Sequence, residues 1–374
     1  MTGRITQFGT SRFLQGHADF FVHQAREAGQ DIGPITIVKT TSGGARDHRV
    51  AAFNDGEGFP IRLRGFDGGR LVDETITVRS VIRALDANAQ WPELIRHFVT
   101  STDIVFTNVG DSGYEIPAEE KERAPEPGQI PASFLGKFLV LLQHRFEGGA
   151  APLLILPCEL LSNNGEALRL GLVNLAKSWR LPQDFLAWLS GGVTICNTLV
   201  DRIVSEPIEP IGAIAEPYGL WAIEAKAGMT TPFENPKVVY TKDLEPYLRL
   251  KLHILNLGHS YLAEIWKTEN RPVGETVKEI LKDDAVKARL MSLYQHEIIP
   301  GFAARNMKDQ ATAYVETTLQ RFENPFLEHK ISDIHQNHAI KIDRRARAFI
   351  DWVRAVGSKT QLQVLQDLSK KYTP

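Results

Sequence analysis

Apolar positions in the first two thirds of the chain come in short runs, separated by longer stretches in which they recur every three to four residues. The run over 4–8 reads as a strand entering a turn at Gly9, and helical spacing then holds from Leu14 to Ala28. A second strand is predicted at 35–39, with further strands at 75–81, 104–108, 153–156 and 192–196. Helical spacing separates several of them, most clearly at 91–100 and 133–146. This alternation points to a mostly parallel α/β sheet. The polar, charged segment 118–129 reads as a solvated loop.

Between 206 and 242 Pro and Gly recur around one short β segment near 220–225, and this stretch reads as the connection between domains. Beyond Asp243 the spacing turns helical almost throughout, over 244–266, 273–282, 284–298, 308–321, 340–355 and 360–371. The prediction is an α/β domain over 1–243, connection included, followed by an all-α domain over 244–374.

Composition agrees with two domains, since 374 residues exceed the size at which one hydrophobic core usually keeps growing. A content of 43% hydrophobic and 24% charged residues is that of a soluble globular protein. The formal net charge of -2 gives no electrostatic footprint for nucleic acid or an anionic membrane, so neither partner is expected. Apolar runs such as 134–142 fall short of the ~18 residues that span a bilayer. Cys158 and Cys196 lie far apart in apolar surroundings, with no C-x-x-C pattern and no secretory leader, so a reducing, cytoplasmic setting is the expectation.

Chemistry gathers in two places. The strand, glycine turn, helix and strand of residues 4–39 follow the order of a dinucleotide-binding unit, where turn amides and a helix N-terminus hold a pyrophosphate. Gly9 and Gly16 are present, but Ser11 stands where the second glycine of G-x-G-x-x-G belongs, so an ordinary strand-to-helix turn fits equally. Strand 104–108 ends in Asn108-Val109-Gly110-Asp-Ser-Gly113, a small-residue loop at the edge where ligands of open α/β sheets collect. NAD sites usually end the second strand on an acidic residue. Here Lys39 stands there with Arg46 nearby, which either tolerates the 2′-phosphate of NADP or leaves Lys39 facing solvent.

The second place is Lys251-Leu-His-Ile-Leu-Asn256-Leu-Gly-His259. At about 100° per helical residue, Lys251, His259 and Asn256 fall in that angular order within one broad arc. A lysine among Leu, Ile, Tyr and Trp is partly desolvated, which disfavours its charged form and suits a base working near neutral pH. An amphipathic helix whose Lys251 reaches water, while Asn256 and His259 satisfy backbone groups, fits the same spacing. His335 and His338 are spaced as a helical metal pair, but no further motif completes a site, and no metal is expected.

Taken together, these motifs resemble the mannitol dehydrogenase family of polyol-specific long-chain dehydrogenases and reductases. Phe8-Gly9-Thr10-Ser11-Arg12-Phe13-Leu-Gln-Gly-His17 is similar to its FGxGxFxRxH signature, and Asn197-Thr-Leu-Val-Asp201-Arg202-Ile203 to its N-x-x-V-D-R-I motif. Lys251, Asn256 and His259 match its K-x4-N-x2-H segment, and Arg321-Phe322-Glu-Asn324-Pro325 with Lys341 resembles its C-terminal pattern. The segment Cys158-Glu159-Leu160-Leu-Ser-Asn-Asn164-Gly165 departs from the family's C-D-N, and in this it is closest to the hexuronate branch. Leu160 cannot donate a hydrogen bond, so either Asn256 acts alone or Asn164 helps. A basic position eight residues before Lys341 is Asp333 here, leaving Lys341 as a cation for a substrate carboxylate.

The resemblance implies an N-terminal Rossmann-type domain, a helical C-terminal domain and an active site in the cleft between them. It implies a metal-independent oxidoreductase acting on a CH–OH group of a small sugar acid or polyol, with NAD as cofactor and NADP still open. On the cofactor it places Phe8, Gly9, Thr10, Ser11, Arg12, Phe13, Lys39, Asn108, Val109, Gly110 and Asn197, and on the substrate Asn164, Asp201 and Lys341. Lys251 would move the proton, Asn256 would donate to the developing oxyanion and His259 would orient. The expected reaction interconverts a keto-hexuronate and an aldonate. A fructuronate/mannonate or neutral-polyol substrate stays open, as does a nucleotide-binding sensor without turnover.

Overall fold

The chain opens with β1 (Ile5–Phe8) and β2 (Ile35–Lys39) and then forms a long hairpin, β3 (Phe59–Asp67) and β4 (Arg70–Val78). It continues with β5 (Val81–Asp86), β6 (Ile104–Thr107), β7 (Leu153–Pro157) and β8 (Val193–Ile195). The computed structural model describes residues 3–44, 47–110 and 113–372. Six strands pair in the order β5-β2-β1-β6-β7-β8, every pairing parallel. Counted within this sheet alone, that is the doubly wound order 3-2-1-4-5-6.

Parallel strands covered on both faces are apolar throughout rather than alternating with polar residues. β2 and β6 are buried at every position. Alternate side chains enter two cores: Ile35, Ile37, Ile104 and Phe106 pack with Phe20, Phe21 and Trp221, while Val38, Val105 and Ile155 pack with Phe98, Phe138 and Leu142. The helices Trp91–Thr100 and Phe134–Glu147 cover the second of these, the latter capped by Ser133 Oγ, which accepts from Gly136 N at 2.9 Å.

Three predictions need correcting. The strand expected at 75–81 runs across a break, because β4 ends at Val78 and β5 begins at Val81. β3, which the sequence reading omitted, turns into β4 through Gly68 and Gly69 at φ +57° and +83°, the mirror-image turn that matches the twist of a hairpin. The stretch 206–242 is no bare connection: β10 (Val204–Pro207) and β11 (Ala213–Ala215) join the hairpin in a sheet ordered β10-β11-β3-β4. With β9 (Thr198–Asp201), strands β12 (Leu220–Glu224) and β13 (Val238–Thr241) form a third sheet, β13-β12-β9. Within 118–129, Ala118–Glu122 is a short helix whose Glu120 carboxylate accepts from Ala132 N and Ser133 N at 2.7 and 3.0 Å.

The chain divides into two compact units, one of residues up to Leu63 with Asp73–Leu244, the other of Arg64–Val72 with residues from Glu245 onward. In the second unit, helix 245–268 contains a widened π turn, Lys251–Asn256, and helices 284–303 and 338–354 contain similar turns at Tyr294–Ile298 and Asp343–Arg347. Lys308–Phe322 and Gln363–Lys371 complete the longer helices. The expected helix 273–282 shrinks to Val277–Ile280, started by a Thr276/Glu279 capping box. Ile254, Leu262, Leu290, Tyr294, Phe302 and Phe349 belong to the core of this unit. Asn324 Nδ2 donates to Arg64 O at 3.1 Å, and the Arg64 guanidinium lies 4.0 Å from the Phe326 ring centre. Among the described residues no helix is long and apolar enough to cross a membrane.

Candidate active site and cofactor edge

The strand order reverses between β1 and β6, and ligands of open α/β sheets collect at the carboxyl ends of such strands. There Gly9 adopts φ +123°, and a Cβ at this position would stand 2.5 Å from Asn108 O. Only glycine lets the two strand ends approach so closely. Ser11 caps helix 12–27, its Oγ accepting from Leu14 N at 3.2 Å and donating to Asn108 Oδ1 at 3.1 Å. Asn108 Nδ2 donates in turn to Cys158 O at 2.8 Å, so the ends of β1, β6 and β7 are tied together. Beneath the loop, the buried Glu159 carboxylate accepts from Thr107 Oγ1 at 2.9 Å and Val109 N at 3.2 Å. Burial pushes the Glu159 carboxyl above its usual range despite those bonds.

A dinucleotide fits this edge, given a glycine with no room for a side chain and a 16-residue helix starting just after it. Arg12 is exposed, Phe13, Val109 and Asn108 are half-buried, Gly110 is exposed and Thr10 is buried. Phe8 differs from expectation: it is 1% exposed in a cluster with Phe98, Phe134 and Phe138, so it supports the turn from below. Asn197 is engaged by its neighbours, with Oδ1 accepting from Glu166 N at 3.0 Å and Nδ2 donating to Glu224 Oε2 at 2.9 Å.

Lys39 does not face solvent, one of the two alternatives drawn from its position. It is 3% exposed and donates to Asp47 Oδ1 and Asp86 Oδ2, each at 2.6 Å. Burial lowers its pKa, but the two carboxylates outweigh that effect and the ammonium is held above its usual value. Arg46, Asp111 and Ser112 lie outside the described residues. A cavity of about 370 Å³ opens at the opposite edge, near Asp103 and Leu153 at the amino ends of β6 and β7, and contains none of the predicted site residues.

Two expected substrate contacts in this unit are buried. Asn164 is 0% exposed, with Nδ2 donating to Pro157 O, Glu159 O and Thr198 Oγ1, and Oδ1 accepting from Gly165 N and Thr198 N. Its amide is fully committed to fastening β7 and β9 to helix Asn164–Ser178 and has no donor left for a substrate oxygen. Asp201 is 4% exposed at the end of β9. Arg202 beside it donates to Gly16 O at 2.7 Å, a carbonyl inside the π turn Gln15–Asp19 of the first helix.

In the helical unit, Lys251 and Asn256 are half-buried and His259 is 7% exposed. The π turn alters the predicted arc. Five α-helical steps less one full turn would set Lys251 and Asn256 about 140° apart, whereas an i→i+5 turn brings residues five apart toward one side. His259 packs on Phe322 and His329 with ring centres 4.4 and 4.8 Å away. Burial first, then the neighbouring His329 and the cations Arg345, Arg321 and Lys341, hold its imidazole well below the usual range, so it is neutral at physiological pH. Lys341 is half-buried and donates to Ile334 O at 2.7 Å.

Sequence reasoning missed Arg345, whose Nη1 donates to Asn256 O at 2.9 Å and Ser260 Oγ at 2.8 Å. His253 Nδ1 lies 2.9 Å from Arg345 O, a second tie between the two π turns. The one signal available was its place four residues after Lys341. The predicted helical pair His335/His338 is broken by Asn337 at φ +53°; the rings stack 4.6 Å apart and His338 Nε2 lies 3.0 Å from Glu264 Oε2. Among the described residues no group of three or more His, Cys, Asp or Glu side chains is placed to hold a metal ion.

A doubly wound sheet with a glycine turn at its switch point defines the first unit as Rossmann-type, joined in one chain to a mainly helical unit that also takes in the hairpin end Arg64–Val72. Residues 3–234 match the mannitol dehydrogenase Rossmann domain and residues 243–365 the mannitol dehydrogenase C-terminal domain. The chain belongs to the mannitol dehydrogenase family. An altronate oxidoreductase of Halalkalibacterium halodurans is 31% identical over 95% of this chain and 72% of its own, and one of Bacillus subtilis is 27% identical over 91% and 73%. The fold is shared with a substrate-free D-sorbitol dehydrogenase (TM-score 0.80, 19% identity, 98% of this chain and 80% of that one). It is shared too with the ternary complex of Pseudomonas fluorescens mannitol 2-dehydrogenase with NAD and D-mannitol (TM-score 0.72, 18% identity, 99% and 78%).

Proposed function

We propose that this chain is an NAD-dependent oxidoreductase that interconverts a keto-hexuronate and the corresponding aldonate, the altronate class of sugar acid. The observation that carries the reading is the π turn, with Lys251 and Asn256 at its two ends and a neutral His259 one helical turn further on. The name shared by the relatives supports the substrate class.

Lys251 takes the hydroxyl proton during oxidation, and its ammonium form returns a proton to the oxygen during reduction. Asn256 donates its amide to that oxygen as negative charge develops there. His259, without charge of its own, orients the substrate by hydrogen bonding. When bound, NAD supplies the hydride acceptor, and positioning is left to the protein. Asn164 is omitted from the substrate contacts because its amide has no free donor. NAD is preferred over NADP because Asp47 and Asp86 neutralise Lys39 at the end of β2 and disfavour a second phosphate beside them.

The test is the rate of NADH and NADPH oxidation with tagaturonate, fructuronate and fructose. Tagaturonate with NADH is expected to give the highest kcat/KM. Absence of turnover with every keto sugar would overturn the enzyme reading, and a preference for fructose would overturn the acid.

A further inference from the structure

A keto-hexuronate carries a full negative charge that a neutral ketose lacks, so an enzyme that selects it needs a fixed cation open to the substrate. Two cations in the helical unit lie one helical turn apart, Lys341 and Arg345. Among the described residues neither forms an ion pair with a carboxylate. The acidic residue nearest them in sequence on the preceding helix, Asp333, is exposed. His259 and His329 beside them are kept uncharged, first by burial, so neither adds to the charge of the two cations. Burial also pulls the Arg345 guanidinium down, to about 10, with no carboxylate to offset it.

The hydrogen bonds of Arg345 fix its orientation. Nη1 donates to both Asn256 O and Ser260 Oγ, which pins the plane of the guanidinium against the turn that carries the reacting groups. Nε and Nη2 donate to no described residue. Those two nitrogens form the edge of the fork that meets a carboxylate through two parallel bonds. Lys341 is held differently: one of its three protons is used on Ile334 O, and it offers a point charge rather than a planar fork.

We infer that Arg345 is the residue that selects the acid, its Nε/Nη2 edge receiving the substrate carboxylate while Nη1 holds the Asn256 turn, with Lys341 as the supporting charge. The inference rests on the keto-hexuronate reading. It also explains how Asp333 can stand where the family pattern has a basic residue, since the charge is supplied four residues after Lys341 instead.

Arg345→Gln and Arg345→Lys test it, with melting temperature as the folding control and saturating NADH throughout. For Arg345→Gln, KM for the keto-hexuronate is expected to rise about 10- to 100-fold, as loss of a charge-assisted pair predicts, with a smaller fall in kcat from loss of the bonds to the Asn256 turn. Competitive inhibition by the aldonate should weaken in parallel, and Arg345→Lys should restore part of the loss. An unchanged KM would remove Arg345 from the substrate, and a fall in kcat with KM unchanged would leave it only the structural task of holding the turn. Either outcome overturns the inference. A parent enzyme that reduces a neutral ketose but no keto-hexuronate would instead overturn the substrate reading beneath it.

Discussion

Lys251 is half-buried and Asp19 fully buried, with different expected consequences for the two ionisable groups. Replacing Lys251 by Ala removes the proposed acid and base, so kcat should fall about 10²- to 10⁴-fold. NADH affinity, followed by fluorescence titration, should stay near that of the parent, and near-normal turnover would refute the assignment. Asp19 is fully buried within the first π turn, with a pKa raised to about 7 from 3.8 by burial, which a 3.4 Å hydrogen bond from Gln7 only partly opposes. Between those values the folded protein holds a proton that the unfolded chain has released. Stability therefore falls as pH rises from ~4 to ~7 and the full cost remains above that, up to about 4 kcal/mol by linkage. Asp19→Asn should accordingly stabilise the protein in urea at about pH 8 and do little at about pH 4. Equal effects at both pH values would mean that Asp19 is not the titrating group. Neither the burial of Asp19 nor the ion pairs of Lys39 was legible in the sequence, because the partners of Lys39, Asp47 and Asp86, come from other elements.

Elements with both faces covered were the easiest to read. β2 and the helix Trp91–Thr100 stand where their apolar runs predict, since burial on both faces or along one stripe leaves a direct trace in the sequence. The hairpin carries a trace too, Phe59, Ile61 and Leu63 alternating before Gly68-Gly69, yet the strand predicted at 75–81 ran over the break at Arg79-Ser80. The π turns carried no such sign. In two of them an arginine from another element donates to a carbonyl of the turn, Arg202 to Gly16 O and Arg345 to Asn256 O, and spacing along the chain does not reveal such pairings. The turn at Gly9 makes the sharpest demand on residue type. Gly9→Ala would force a Cβ against Asn108 O at a backbone angle that L-residues avoid, costing about 1–3 kcal/mol. The expected outcome is a lower melting temperature together with weakened NADH binding; unchanged binding would show that the edge tolerates separation of β1 and β6.

At the scale of the whole molecule, the change from α/β to helical pattern near residue 243 was plain in the sequence, but the allegiance of the hairpin end was not. Arg64–Val72 groups with the helical unit although it precedes that unit by more than 170 residues. Arg64→Ala removes the contact with Phe326 and should cost about 0.5–2 kcal/mol, seen as a lower melting temperature. An unchanged melting temperature would show that the ring contact contributes nothing. The same arrangement governs how the protein is made. Asn324 leaves the ribosome 260 residues after its partner Arg64, a wait of roughly 13–52 s at common elongation rates. For that interval the strand ends on either side of Gly68-Gly69 wait without their final neighbours. Nascent-chain folding should therefore finish late, and protease added during translation should cut near this hairpin until synthesis has passed residue 326.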